Sequence, residues 1–308
     1  MKIILGILFG LMLLLPLFTY DALGEKFTLV KTWGSKGKKD GQFIYPAGIT
    51  VDSKGIVYVS DANQRIQKFS GDGKFLSKFG TPGTKDGQFS GPGSLVTDSK
   101  DNLYVLDYGN IRIQKFTDQG KFVQSFDVLS RANFLVNLSD GVEVDSKDNL
   151  FVTDFEGNRI LKLSTNGTVL ETWTTFGPKK TQFAKPAAIS ADKNNVLFVS
   201  DTYRRQIHKI TADGEYVQTI AKSGDIKSNF AVPGEIDFDS KENMYVVDNH
   251  NHRVQVYSKD GNFLGTIGKK GSGAGQFSYP WAIAINSNDE IFVVDTGNNR
   301  IQKFIMEK

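Results

Sequence analysis

The sequence predicts an all-β fold: a six-bladed β-propeller of four-stranded antiparallel blades, closed by the N-terminal strand completing the last blade. Three observations carry this. Two aspartates recur with a spacing of 46 or 47 residues. The first set is Asp52, Asp98, Asp145, Asp192 and Asp239, with Asn286 in sixth place; the second is Asp61, Asp107, Asp154, Asp201, Asp248 and Asp295. A fixed period of that size marks a repeat architecture. Each period holds four short β-prone runs punctuated by Gly, Asp and Asn. No segment after residue 24 keeps a helical period.

The residues ahead of the repeats form a unit of their own. Lys2 precedes an apolar run from Ile3 to Phe18, and the small residues Ala22 and Gly24 follow. A basic start, an apolar centre and small residues at the cleavage region make residues 1–24 a signal peptide by expectation. The run is shorter than the roughly 20 residues of a membrane span, and an uncleaved anchor is the alternative. The expected location is therefore secreted or cell-surface, with a membrane as partner only if the leader is retained. No cysteine occurs, which excludes a lipoprotein anchor and leaves an exported domain to be held by its core without disulfides. The formal charge of +3 is too small to imply a polyanion partner. With export, it makes nucleic acid an unexpected ligand; a monomer is expected.

Within the first unit, Pro46 to Asp52 is a short β-prone run stopped by Ser53-Lys54-Gly55, and Ile56 to Asp61 is a second. Ala62-Asn63-Gln64 turns the chain into Arg65 to Phe69, and Gly71-Asp72-Gly73 turns it into Lys74 to Gly80. Period-two alternation, β-branched and aromatic residues and Gly/Asp turns are hairpin signals. One such sheet cannot bury both faces, and packing blades around an axis does so. An apolar residue ends each fourth strand (Trp33, Phe79, Phe126, Trp173, Ile220, Ile267), and another stands ten positions later (Phe43, Phe89, Val136, Phe183, Phe230, Phe277). The chain opens on a fourth-strand residue and ends on a third strand, Arg300 to Phe304. Phe27 to Trp33 is thus expected to complete the last blade, removing the open edge, in one domain of residues 25–308.

Pro-x-Gly-Ile-x-Val-Asp, then Tyr-Val-x-Asp, then Asn-x-Arg-Ile-Gln-Lys-Phe, carried best by Pro46–Phe69 and Tyr279–Phe304, resembles the NHL repeat. The resemblance covers the chain after its leader and implies a six-bladed NHL propeller. Such propellers serve as protein-binding platforms and as RNA-binding modules, and related six-bladed propellers are lyases or metal-dependent hydrolases, so function has to be argued from a site. The third unit departs from the pattern: Ser139-Asp140-Gly141-Val142-Glu143 replaces the Pro-x-Gly opening.

Alternating strand directions put the first-to-second and third-to-fourth turns on one side of the disc. The second-to-third turns and the inter-blade links lie on the other. The first set is repetitive Asp-Ser-Lys and Asp-Gly chemistry, which reads as turn-forming. In the second set, recurring Asp and Arg ends, such as Asp61 and Arg65 in the first unit and Asp201 and Arg205 in the fourth, read as structural. The unlike residues between them are the candidates for ligand binding: Tyr108, Phe155, Glu156, Tyr203, Arg204, His250 and His252. Aromatic and Arg side chains on a rigid, loop-bearing face suit partner recognition, with Tyr108 and Phe155 packing over neighbouring turns as the plainer alternative. Links add Lys36, Lys38, Lys39, Lys85, Lys179, Lys180, Lys222, Lys227, Lys269 and Lys270, a basic rim.

Catalytic signatures are missing: no Gly-x-Ser-x-Gly elbow, P-loop or dinucleotide fingerprint occurs. His208 belongs to a third strand away from the axis, and an i,i+2 pair such as His250 and His252 is a poor zinc site. An anomaly remains on the inner strands, where Glu143 and Asp237 replace Thr50, Val96, Ser190 and Ala284, with Asp140 and Glu235 nearby. Buried carboxylates must be paired, hydrated or metal-bound, and oxygen ligands would suit calcium or another divalent cation. The sequence therefore favours an exported, non-catalytic NHL-repeat propeller acting as a binding scaffold for a protein, peptide or glycan, with no cofactor. The alternative is an extracytoplasmic lyase or hydrolase dependent on an axial divalent cation at Glu143 and Asp237.

Overall fold

The structure, a computed structural model, describes residues 18–20, 26–127, 141–177, 181–220 and 229–307. Much of the expected leader lies outside this range, as do Val136, Asp140, Lys179, Lys180, Lys222 and Lys227.

Six antiparallel sheets stand around an axis. Blade 1 runs outward as Ile49–Val51, Val57–Asp61, Arg65–Phe69 and Phe75–Phe79. The inner strands of blades 2 to 6 are Pro92–Thr97, Val142–Val144, Pro186–Ala191, Pro233–Phe238 and Ile283–Ile285. Blade 6 is completed by Lys26–Trp33, which pairs with Arg300–Met306 so that Trp33 faces Ile301 and Phe27 faces Met306. The ring is therefore closed as the strand count requires. Phe18–Tyr20 adds a short strand outside Lys26–Trp33, with Phe18 opposite Thr28.

The core is a set of inter-blade seams. Each of the six hydrophobic clusters draws its residues from two neighbouring blades. Phe43, Phe89 and Phe277, which open their units, are fully buried in three of these seams, each contributing on the order of 2 kcal/mol by burial.

Polar bonds repeat with the blades. In the first-to-second turn, Asp52 accepts the Lys54 and Ile56 backbone N–H groups. The residue at the end of that turn adopts positive φ: Asp101 (60°), Asp148 (62°), Asn195 (59°), Glu242 (64°) and Asp289 (60°). That conformation aims its side chain at the preceding blade. Asp101 accepts from the Ser53 N–H and hydroxyl, Asp148 from those of Ser99, and Asp289 from those of Ser240. Gly55 holds the corresponding place in blade 1 and brings no side chain to the seam with blade 6.

Candidate functional site

On the opposite face, the second-to-third turn is tied to the link before its blade. Arg112 Nε sits 3.0 Å from Asp107 Oδ2, and its Nη2 donates to the Lys85 and Gln88 carbonyls, both at 2.8 Å. Arg65 and Arg300 do the same for their own links. Asp61, Asp107, Asp154, Asp201, Asp248 and Asp295 are all buried. The recurring Asp–Arg pairs are clamps, as their repetition suggests.

The fourth unit differs from the sequence reading. Gln206, not Arg205, lies opposite Asp201 in the ladder. Arg205 takes the positive-φ position (56°), and Arg204 supplies the cation, with Nε 3.4 Å from Asp201 and Nη2 donating to the Gln182 carbonyl at 2.9 Å. Arg204 is therefore a clamp residue as well as a surface one. His208 fills the place held elsewhere by Gln67, Gln114, Gln255 and Gln302. It is fully buried, 3.8 Å from the Phe176 ring centre.

The remaining candidates separate into groups. Phe155 is buried, with the Lys185 ammonium 5.0 Å from its ring centre, and Lys185 pairs with Glu156 at 2.8 Å. Tyr108 is half-buried on a short 3-10 turn, Tyr108–Asn110. His252 is buried, and its Nδ1 accepts the Tyr279 backbone N–H at 3.0 Å. Burial, reinforced by the positive charge of Lys270 and by His250, lowers its pKa. His250 is exposed and meets the Tyr279 ring edge-on at 5.7 Å. Tyr203 is the most exposed of the large apolar side chains, at 76%.

Two residues join this surface that the turn comparison missed. Tyr45 and Tyr279 are 56% and 48% exposed, each at positive φ immediately before a proline. Their signal was the Tyr-Pro pair recurring at one register in the first and sixth units. Both lie in a link, four residues ahead of an inner strand. Tyr45, Tyr203 and Tyr279 are the exposed aromatics of the described residues. The other large exposed apolar residues, Val30, Leu76, Val123, Val169, Leu170 and Val217, belong to outer strands. Lys36, Lys38, Lys39, Lys85, Lys269 and Lys270 are exposed on the same face, and none of the ion pairs of the described residues includes them. Three of its acids are engaged: Asp40 with Lys78 and Arg65, Asp86 with Arg112, and Glu156 with Lys185; Asp127 is exposed and outside the ion pairs of the described residues.

Inside the channel, Glu143, Glu235 and Asp237 line a cavity of about 220 Å³. At one level the inner strands present Gly48, Ser94, Gly141, Ala188, Glu235 and Ala282. The small residues leave room for Glu235 to reach the opposite blade, where Ser94 Oγ donates to Oε1 at 3.4 Å, while the Ile283 N–H of the adjacent blade 6 donates to Oε2 at 3.1 Å. Two residues further along each strand lie Glu143 and Asp237. Glu143 Oε1 accepts the Val144 N–H at 2.7 Å, while Asp237 accepts the Phe238 N–H at 2.8 Å and the Ile285 N–H at 2.6 Å. Burial, aided by the charge of Asp237, raises the Glu143 pKa to about 8, and burial raises that of Asp237 to about 7. Glu235 is held well above the usual carboxylate range by burial and by both neighbours. Among the described residues no group of three or more His, Asp or Glu side chains converges closely enough to cage a metal ion.

Comparison with known proteins agrees with this architecture. A family profile described as NHL repeat matches residues 89–116, the second unit, and one described as 6-bladed beta-propeller matches residues 232–308. Protein lin-41 of Caenorhabditis elegans is 43% identical over 60 residues, which span 19% of this chain and 5% of that protein. Virginiamycin B lyase from Staphylococcus aureus superposes with a TM-score of 0.62 at 15% identity, covering 91% of this chain and all of the lyase. A gluconolactonase from Xanthomonas campestris gives 0.65 at 13% identity, covering 95% of each chain. At these identities the solved structures share the fold.

Proposed function

We propose that this chain is an exported, non-catalytic interaction propeller whose link face receives an acidic segment of a protein or peptide. One observation carries the reading: the exposed aromatics of the described residues, Tyr45, Tyr203 and Tyr279, share a single face. Tyrosine offers a large, amphipathic contact at low entropic cost and is enriched among binding hot spots. The same face carries lysines free of carboxylates in three of its links and pairs three of its acids with cations, which favours an anionic partner. The NHL repeat supports the same reading, because NHL propellers mediate protein interactions.

A displayed peptide library selected on the immobilised protein is expected to enrich Asp- and Glu-rich sequences. Their binding should weaken with salt and be lost when Tyr45, Tyr203 and Tyr279 are all changed to serine, with the melting temperature kept. Enrichment without acidic bias, or binding indifferent to the three tyrosines, rejects the proposal.

The competing reading is a lyase or hydrolase dependent on a cation between Glu143 and Asp237, motivated by the convergence of axial carboxylates. Their oxygens already accept backbone N–H groups from three strands, an arrangement that accommodates them without a metal. We expect EDTA dialysis to leave the melting temperature unchanged; a drop restored by calcium would favour the enzyme.

A further inference from the structure

On the face away from the tyrosines, the repeat supplies its own internal control. In five blades a third-strand lysine lies over the second-strand aromatic ring: Lys68 over Tyr58, Lys115 over Tyr104, Lys162 over Phe151, Lys209 over Phe198 and Lys303 over Phe292. Four of these ammonium groups also hold an oxygen. Lys68 donates to the Asp118 carbonyl and Lys115 to Asp98 at 2.9 Å; Lys162 donates to the Ala212 carbonyl at 2.8 Å and Lys303 to that of Gly71 at 3.0 Å. Lys209 is the exception. Among the described residues no carboxylate or carbonyl takes its ammonium, which rests 5.1 Å from the Phe198 ring centre.

At this seam, between blades 4 and 5, a cavity of about 280 Å³ opens beside Lys209. Its apolar wall is Phe198, Ile220, Phe238 and Met244, with the two phenyl rings 4.8 Å apart and inclined at 59°. The volume is close to the lower bound of small-molecule sites, ~300 Å³. The acids at its edge are largely spoken for. Glu242 pairs with Lys193 at 3.1 Å, and Asp192 accepts the Asn194 and Val196 N–H groups. Asp260 stands at the mouth next to Lys259, so their charges offset. Asp192 keeps a carboxylate charge in this wall with its Oδ1 engaged by those N–H groups, and among the described residues the ammonium of Lys209 has no hydrogen-bonded counter-charge.

We infer that this cavity binds a small amphiphilic carboxylate, with its apolar body against the wall formed by Phe198 and Phe238 and its carboxylate on Lys209. The ligand oxygen would take the place that a carbonyl or carboxylate of the protein takes at the other four lysines. A charge-assisted bond in a partly desolvated pocket gives the selectivity, and the aromatic wall gives the contact area. This site is separate from the tyrosine face and does not depend on the function assigned to it.

The test uses the Met244 methyl group as reporter, in protein labelled with methyl-13C methionine. Phenylacetate, a free acid, and N-acetyl-Gly-Phe, a peptide C-terminus, probe the two sources of this chemistry in turn. Saturable shifts at Met244 are expected for at least one, and the tighter arm identifies the source. The uncharged phenylacetamide should bind about tenfold more weakly or worse, and Lys209→Met should weaken the acid by a similar factor. The absence of a saturable shift overturns the inference. So does equal binding of acid and amide, a comparison that stands on the unaltered protein even if Lys209→Met fails to fold.

Discussion

His252 holds φ at 55° and accepts the Tyr279 N–H through Nδ1, so its proton must reside on Nε2. Asn299 and Asn158, at φ of 55° and 52°, do the same work elsewhere, accepting the Tyr45 and Lys185 N–H groups at 2.9 Å. His252 is thus an inter-blade clip more than a ligand residue, and it fails on protonation. Its pKa is lowered by burial, Lys270 and His250. The unfolded chain therefore takes up the proton first, and stability falls as pH drops through the usual histidine range, near 6.5. His252→Asn should keep the clip and remove this decline, whereas His252→Ala should cost about 1 kcal/mol at neutral pH. Urea titrations at pH 5.5 and 7.5 check both; equal pH slopes in the wild type and the Asn variant would refute the assignment. The sequence placed His250 and His252 in one turn and offered both as ligands. It could not separate them, because a left-handed residue aims its side chain at the neighbouring blade, and two residues of spacing carry no trace of that φ.

Elements were far more legible than sites. Hydrophobic period, turn chemistry and the phase of the first and last strands implied six blades and a closing strand, because each repeat must bury both faces against like neighbours. The clamp was legible as repetition, and misplaced in the fourth unit because Arg204 and Arg205 are adjacent and register alone separates them. Two predictions belong here. Deleting residues 1–33 removes the partner of Arg300–Met306 and bares Phe69, Phe75 and Phe292 beneath Trp33. The truncated protein should aggregate or lose its cooperative melt, visible by gel filtration and calorimetry; a monomer of unchanged stability would mean that the closing strand contributes little. Asp107→Ala strands Arg112, which is buried like its partner, and should cost about 3–5 kcal/mol. Asp86→Ala removes a largely exposed carboxylate 3.8 Å from the same arginine and should cost less than about 1 kcal/mol. Chemical denaturation of the pair separates clamp from surface charge.

For the whole molecule, the axis is where blades meet without apolar filling, and three carboxylates share that space. Sequence position identified Glu143 and Asp237 as channel-lining. It gave no hint that Glu235 crosses to Ser94, since that contact depends on small residues at the same level of the other inner strands. The consequence is a pH dependence opposite in sign to that of His252. Glu143 and Asp237 titrate near 8 and 7 when folded, against about 4 in an unfolded chain. Below pH 4 these groups are protonated in both states and their contribution is fully present. As pH rises, the unfolded chain loses its protons first, so the folded state is progressively disfavoured until Glu143 ionises near 8. Among the described residues no lysine or arginine faces this cavity, so none of them relieves the repulsion. Glu143→Gln retains an acceptor for the Val144 N–H and gives Asp237 a neutral neighbour. It should flatten the decline and stabilise the protein at pH 9 by on the order of 1 to a few kcal/mol. Thermal melts from pH 5 to 9 measure this. If wild type and variant run parallel across that range, the axial acids are ionised and solvated throughout, and the channel must be wetter than its lining suggests.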